Sequence, residues 1–160
     1  MGEALQGTGM VGDYGDWGIN ALVVAATVVI VSLCVLLHYE ALQWLSERLR
    51  RLSTQRRRKV LYGVYALLVI HVAEIWLFGV GLWLLMGVPG AGHIAGLPQA
   101  GLLDSIYLSA ATFTTVGFGD LAPVGPIRFL VGTEALTGFV LITWSASFTF
   151  IEMETFWRSR

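Results

Sequence analysis

Thr114-Thr115-Val116-Gly117-Phe118-Gly119-Asp120 separates two apolar stretches of membrane-spanning length, and its reading decides the fold. Gly117 and Gly119 accept left-handed backbone conformations that side chains resist, so alternating them with Val116 and Phe118 turns successive carbonyls toward one side. Carbonyls arrayed in this way replace the water around a bare cation. Irregular backbone survives at membrane depth only where protein buries it or a wet pathway runs beside it. Rings of backbone carbonyls are one way to build an ion filter.

Composition places the chain in a membrane. Of its 160 residues, 56% are hydrophobic and 13% charged, and the mean hydropathy is +0.70, more apolar than an ordinary soluble domain of this size. The formal net charge is −1, yet seven of the ten basic residues fall between Arg48 and Lys59. Cys34 is the single cysteine and lies in an apolar run, which excludes an intrachain disulfide and a metal site built on thiolates. Its expected role is packing against protein or lipid.

Outward from the loop, the chain divides into five parts. Residues 1–18 hold no Lys or Arg and several glycines, and read as a short, poorly ordered external tail. The uncharged run Ile19 to Leu37 predicts an additional transmembrane helix over 19–39. Acidic residues precede it and arginines follow, the reverse of a signal peptide. Residues 40–59 form a basic linker whose block, Arg48 to Lys59, would suggest nucleic acid in a soluble protein. Between two spans it is a topology signal. Positive residues in short loops stay cytoplasmic, which puts the N-terminus outside and the C-terminus inside, in a multi-pass protein of the cell membrane. Contact with anionic lipid at Arg48–Lys59 is a second expectation; no nucleic-acid partner is expected.

Residues 60–88 predict an outer helix, interrupted only by His71 and Glu74. A Gly- and Pro-rich loop follows, and then 102–113 predicts a helix too short to span. Asp104 suits the positive end of that helix, and its negative end feeds into Thr114 and Thr115. Pro123, Gly125 and Pro126 break the chain before an inner helix over 127–150, leaving 151–160 as a cytoplasmic tail. The fold class expected is an all-α membrane protein: three transmembrane helices, a re-entrant helix and a loop over 115–119.

This order of span, re-entrant helix, Thr115-Val116-Gly117-Phe118-Gly119-Asp120 and span resembles the pore domain of tetrameric potassium channels over residues 60–150. Phe118 stands where Tyr is commoner in that family. The resemblance implies that the carbonyls of Thr115, Val116, Gly117 and Phe118, with the Thr115 hydroxyl, coordinate dehydrated K+ as cargo. Gly119 belongs to the same loop, and Thr114, Asp120 and Tyr107 support it. One loop per chain implies three identical partner subunits around one pore, a closed fourfold homotetramer. Ala111 stands where some relatives carry a glutamate that braces the filter, whereas Tyr107 matches an aromatic position that hydrogen-bonds the aspartate after it. Gly138 matches a place where the inner helix bends in gating, although glycine in membrane helices also simply permits close packing. The additional first helix has no counterpart in the simplest pores, and Ile19 to Leu37 carries none of the charges a voltage sensor needs.

His71, Glu74 and Glu134 are ionisable groups inside spans, and such groups are functional candidates by default. Counting about 1.5 Å per residue, Glu74 stands roughly 22 Å above Lys59 and Glu134 roughly 9 Å below Arg128, a similar depth in a core about 30 Å thick. His71 shares a face with Glu74. The expectation is a buried polar link joining Glu74 to Glu134 behind the filter, through His71 or water. It is either a static interhelical contact or a proton-responsive gating element.

A potassium-selective channel is the leading reading. A weakly selective monovalent cation channel and a non-conducting regulatory membrane subunit remain as alternatives. Gly117-Phe118-Gly119 lacks the Lys and Ser or Thr of a phosphate loop, and the sequence presents no spaced metal-ligand cluster. No enzyme activity and no cofactor are therefore expected.

Overall fold

The computed structural model describes residues 16–51 and 56–158. Residues 1–15 of the expected tail over 1–18, and residues 52–55 of the basic linker, lie outside the described residues. Helix α1, Trp17–Arg51, begins where Asp16 Oδ1 accepts the Gly18 backbone N–H at 2.8 Å, an N-cap that satisfies an otherwise orphaned donor. Its buried residues are Val23, Thr27, Ile30, Cys34, His38, Leu42, Leu45 and Leu49. Spacings of three and four make this one continuous stripe.

That stripe corrects the expected boundary. The helix does not stop at residue 39, because Leu42, Leu45 and Leu49 continue the buried face and pack with Leu67, Ala66, Ile70 and Phe148. The charged residues that lower the hydropathy after residue 39 lie on its other faces. At 35 residues the helix is about 52 Å long by its rise, well beyond the roughly 30 Å of a hydrocarbon core. The first part of the expected linker is therefore a helical extension.

Helix α2, Arg56–Met86, and helix α4, Arg128–Arg158, complete three helices long and apolar enough to span. Helix α4 runs eight residues past the expected end at 150, with no Pro or Gly in Ile151–Arg158 to stop it. Between them lies helix α3, Leu102–Phe113, with the expected boundaries. Asp104 Oδ2 accepts the Gly101 N–H at 2.8 Å at its start, where a carboxylate also suits the helix dipole.

Two three-residue strands frame α3. Strand β1, His93–Ala95, pairs antiparallel with β2, Ala122–Val124, in the register His93 to Val124, Ile94 to Pro123 and Ala95 to Ala122. The sequence reading has only loop here. Gly92 and Gly96 flank β1 with φ of 125° and 106°, and at Gly92 a side chain would collide with the Val124 carbonyl. The ribbon clips the segment before α3 to the segment after the 114–120 loop.

The core gathers Phe78 and Leu82 of α2, Leu108 and Phe113 of α3, and Leu130 and Leu141 of α4, with Val23, Ile30 and Cys34 of α1. Gly79 lets α2 approach α3 so closely that a Cβ there would stand 2.7 Å from Ile106 Cα. Gly138 does the same for α4: a Cβ would strike the Phe113 carbonyl oxygen and lie 2.8 Å from its carbon. Of the two roles open for Gly138, close packing is the one this geometry requires.

Candidate functional site

The 114–120 loop leaves the C-terminal end of α3 by using that helix's unpaired carbonyls. Thr114 donates to Ala110 O from both its N–H and its Oγ1, Thr115 N–H donates to Thr112 O at 2.9 Å, and Gly117 N–H to Ala111 O at 3.1 Å. Acceptors that a helix end would leave orphaned thus hold the loop in place. Along it, φ is 58° at Thr115, 53° at Gly117 and 81° at Gly119. Every second residue is left-handed. This alternation is the conformation expected for Gly117 and Gly119, and it extends to Thr115, which the residue types alone do not reveal because β-branched residues rarely accept positive φ.

The loop is exposed from Thr114 to Asp120 in the single chain, with Phe118 69% and Val116 57% accessible. A Cβ at Gly117 or Gly119 would meet nothing within 4 Å. Conformation, rather than space, is what demands glycine at both positions within one chain.

Side chains support the loop from two directions. On its outer flank, Tyr107 Oη donates to Asp120 Oδ2 at 2.9 Å, and the Tyr107 ring stacks parallel to Phe118, 6.2 Å between centroids and 6° from coplanar. The Asp120 carboxylate raises the Tyr107 phenol above its ordinary pKa by accepting this hydrogen bond. Behind α3, the fully buried Ser109 hydroxyl reaches Ile75 O of α2 at 2.8 Å and also Glu134 Oε1 of α4 through a short hydrogen bond. Ala111 leaves its own position without a carboxylate. Glu134 brings one to the same helix from α4.

The expected link between Glu74 and Glu134 takes another form. Glu134 bonds Ser109, while the fully buried Glu74 accepts from His71 Nδ1 at 2.8 Å and from His38 Nδ1 at 2.7 Å. The outer-helix carboxylate therefore faces α1 instead of α4. His71 joins Glu74 as the three-residue spacing requires, but His38 is a partner the sequence reading misses. It sits one residue past the uncharged run, 36 residues from Glu74. The signal lay in the stripe, since His38 follows Cys34 by four and precedes Leu42 by four. Its ring stacks with His71, 5.7 Å between centroids, and lies 5.3 Å from the Trp144 ring of α4.

Comparison with known proteins agrees with this architecture. Residues 60–155 match the model of a family described as "Ion channel". Two proteins each called Protein LctB are similar over shorter stretches. That of Geobacillus stearothermophilus is 42% identical over 53 residues, covering 33% of this chain and 40% of the relative, and that of Bacillus caldotenax is 45% identical over 40 residues, covering 25% and 30%. The chain thus matches less than half the length of either. No solved structure is significantly similar. With the family matching from the start of the outer helix to beyond residue 150, and three helices of spanning length around a re-entrant α3, the chain is a multi-pass membrane protein belonging to the ion channel family.

Proposed function

We propose that the chain is one subunit of a homotetrameric, potassium-selective channel in the cell membrane, its filter formed by residues 115–119. The alternation of left-handed residues at Thr115, Gly117 and Gly119 carries this reading, because such alternation directs successive carbonyls to one side. Potassium is held as cargo by the carbonyls of Thr115, Val116, Gly117 and Phe118 and by the Thr115 hydroxyl. Carbonyl dipoles replace its hydration shell, and several adjacent sites keep binding weak enough for exit. The exposed Val116 and Phe118 support assembly, since an isolated chain leaves them without cover. The basic stretch Arg48–Lys59 supports a cytoplasmic linker and C-terminus with the N-terminus outside, and anionic lipid as a partner of that stretch.

Flux through liposomes containing the purified chain tests the reading. Potassium and rubidium pass much faster than sodium if it holds. Equal fluxes favour the weakly selective cation channel, for which the missing carboxylate at Ala111 is the supporting observation. No flux from a correctly assembled tetramer favours a regulatory subunit.

A further inference from the structure

We propose that His38, His71 and Glu74 form a binding site for a divalent ion of the zinc type, joining α1 to the outer helix of the pore domain. The three offer donor atoms that all lie within 4.8 Å of one another, from side chains that are buried except for the rim of His71. Two imidazoles and one carboxylate are a donor set that zinc adopts readily, and cobalt and nickel share its taste for imidazole. The hard cations are poorly served, since calcium takes six to eight oxygens and magnesium keeps a shell of waters. The site is therefore also distinct from the potassium path, which offers oxygen alone.

Distance favours the assignment. Donor atoms around a four-coordinate ion with bonds of about 2.0 to 2.1 Å stand roughly 3.3 Å apart. Here the two nitrogens lie 2.7 and 2.8 Å from the Glu74 oxygens, and no separation in the set exceeds 4.8 Å. Opening the two hydrogen bonds by roughly 0.5 Å, and drawing the most widely separated donors together by up to about 1.5 Å, brings the set to that spacing, a change that side-chain torsions can supply. The hydrogen-bonded cluster also leaves a remainder. His38 is fully buried and its Nε2 has no hydrogen-bond partner among the described residues, although buried polar atoms are nearly always paired. Glu74 can accept from both histidines, but it cannot serve that second nitrogen. An ion bound by His38 through Nε2 gives that buried nitrogen the partner Glu74 cannot supply, while in the ion's absence each histidine pairs with a different Glu74 oxygen.

His71 is the one member with an accessible edge, 16% of its side chain in the single chain. Once bound, the ion fastens α1 to α2 through His38, and it does so beside Trp144 of α4.

The test uses the full chain without a histidine tag, purified in detergent and stripped of metal with a chelator. Zinc is titrated by calorimetry, and cobalt is added separately to read the visible spectrum of a nitrogen-ligated ion. The expected result is saturable binding of one zinc per chain. His38→Gln and His71→Gln should each weaken it by at least the roughly 10-fold that even an outer-shell partner is worth, whereas His93→Gln in the external ribbon leaves it unchanged. Circular dichroism identifies any variant that fails to fold. Because His71 is partly exposed, His71→Gln decides the matter if His38→Gln does not fold. Absence of saturable zinc binding to folded wild-type protein overturns the proposal, as does binding that His71→Gln leaves intact; either result makes the cluster a hydrogen-bonded contact only.

Discussion

At the scale of single residues, Gly117 and Thr115 illustrate two ways of reaching the same backbone conformation. Gly117 adopts φ 53° without steric penalty and has open space around its Cα. Gly117→Ala therefore acts through the backbone alone, costing about 1 to 2 kcal/mol in each chain. In the proposed tetramer that penalty recurs in every subunit at one ring of ligands. Loss of selective potassium flux with normal membrane insertion is the expected outcome, and unchanged selective flux would count against the filter assignment. Tyr107 makes a second residue-scale case. Tyr107→Phe keeps the ring that stacks on Phe118 but removes the donor to Asp120. The potassium-to-sodium flux ratio should fall while the tetramer survives, and an unchanged ratio shows that Asp120 needs no such partner. The pH sense follows from the raised phenol pKa. The donor is fully present below the ordinary tyrosine value of about 10, and is lost only as pH rises through the higher folded-state value. This support is accordingly insensitive to neutral and mildly alkaline conditions, which flux between pH 7 and 9 measures directly.

At the scale of elements, α3 is held by contacts that a side-chain pattern does not fully announce. Its boundaries were legible, because a largely apolar stretch of twelve residues carries a carboxylate in its first turn and ends at paired threonines. The hub at Ser109 was not legible, since a serine inside an apolar helix gives no indication that it meets Glu134 and Ile75. Ser109→Ala strands Glu134 in the interior, and a buried acceptor left without its partner costs about 1 to 3 kcal/mol. The variant should melt at lower temperature than wild type. Combining it with Glu134→Gln should cost less than the two separate losses added together, as expected for groups in contact. Strict additivity, measured by thermal denaturation of all four proteins, would show that the contact contributes nothing. Gly138→Ala is a sharper test of packing. It forces α4 away from the end of α3 at Phe113, so it should lower thermal stability even with the channel held in one gating state. A variant of wild-type stability with altered opening would instead favour the bending role. The short strands escaped the sequence for a simpler reason: three residues set among glycines and prolines carry no alternation to read.

At the scale of the whole molecule, the three spans were legible because each has a long apolar run, while the length of α1 was not. Charged residues after position 39 lower the hydropathy, but Leu42, Leu45 and Leu49 keep the stripe buried. Likewise, the partner of Glu74 could not be assigned before the helices were brought together, because nothing local ties residue 38 to residue 74. Orientation has its own test. In a Cys34→Ser background, Gln99→Cys places a lone thiol in the exposed loop between β1 and α3. An impermeant maleimide should label it on intact cells. Labelling only after permeabilisation would invert the proposed topology.

The exposure of residues 114–120 also has a genetic consequence. In the proposed tetramer each copy contributes one side of a wall and no copy owns a complete site, so a defective chain would spoil the contributions of its neighbours. With equal expression of wild-type and Gly117→Ala chains and random mixing in a fourfold ring, roughly one assembly in sixteen contains only wild-type copies. The altered allele should behave as dominant, removing far more flux than its half share of the protein.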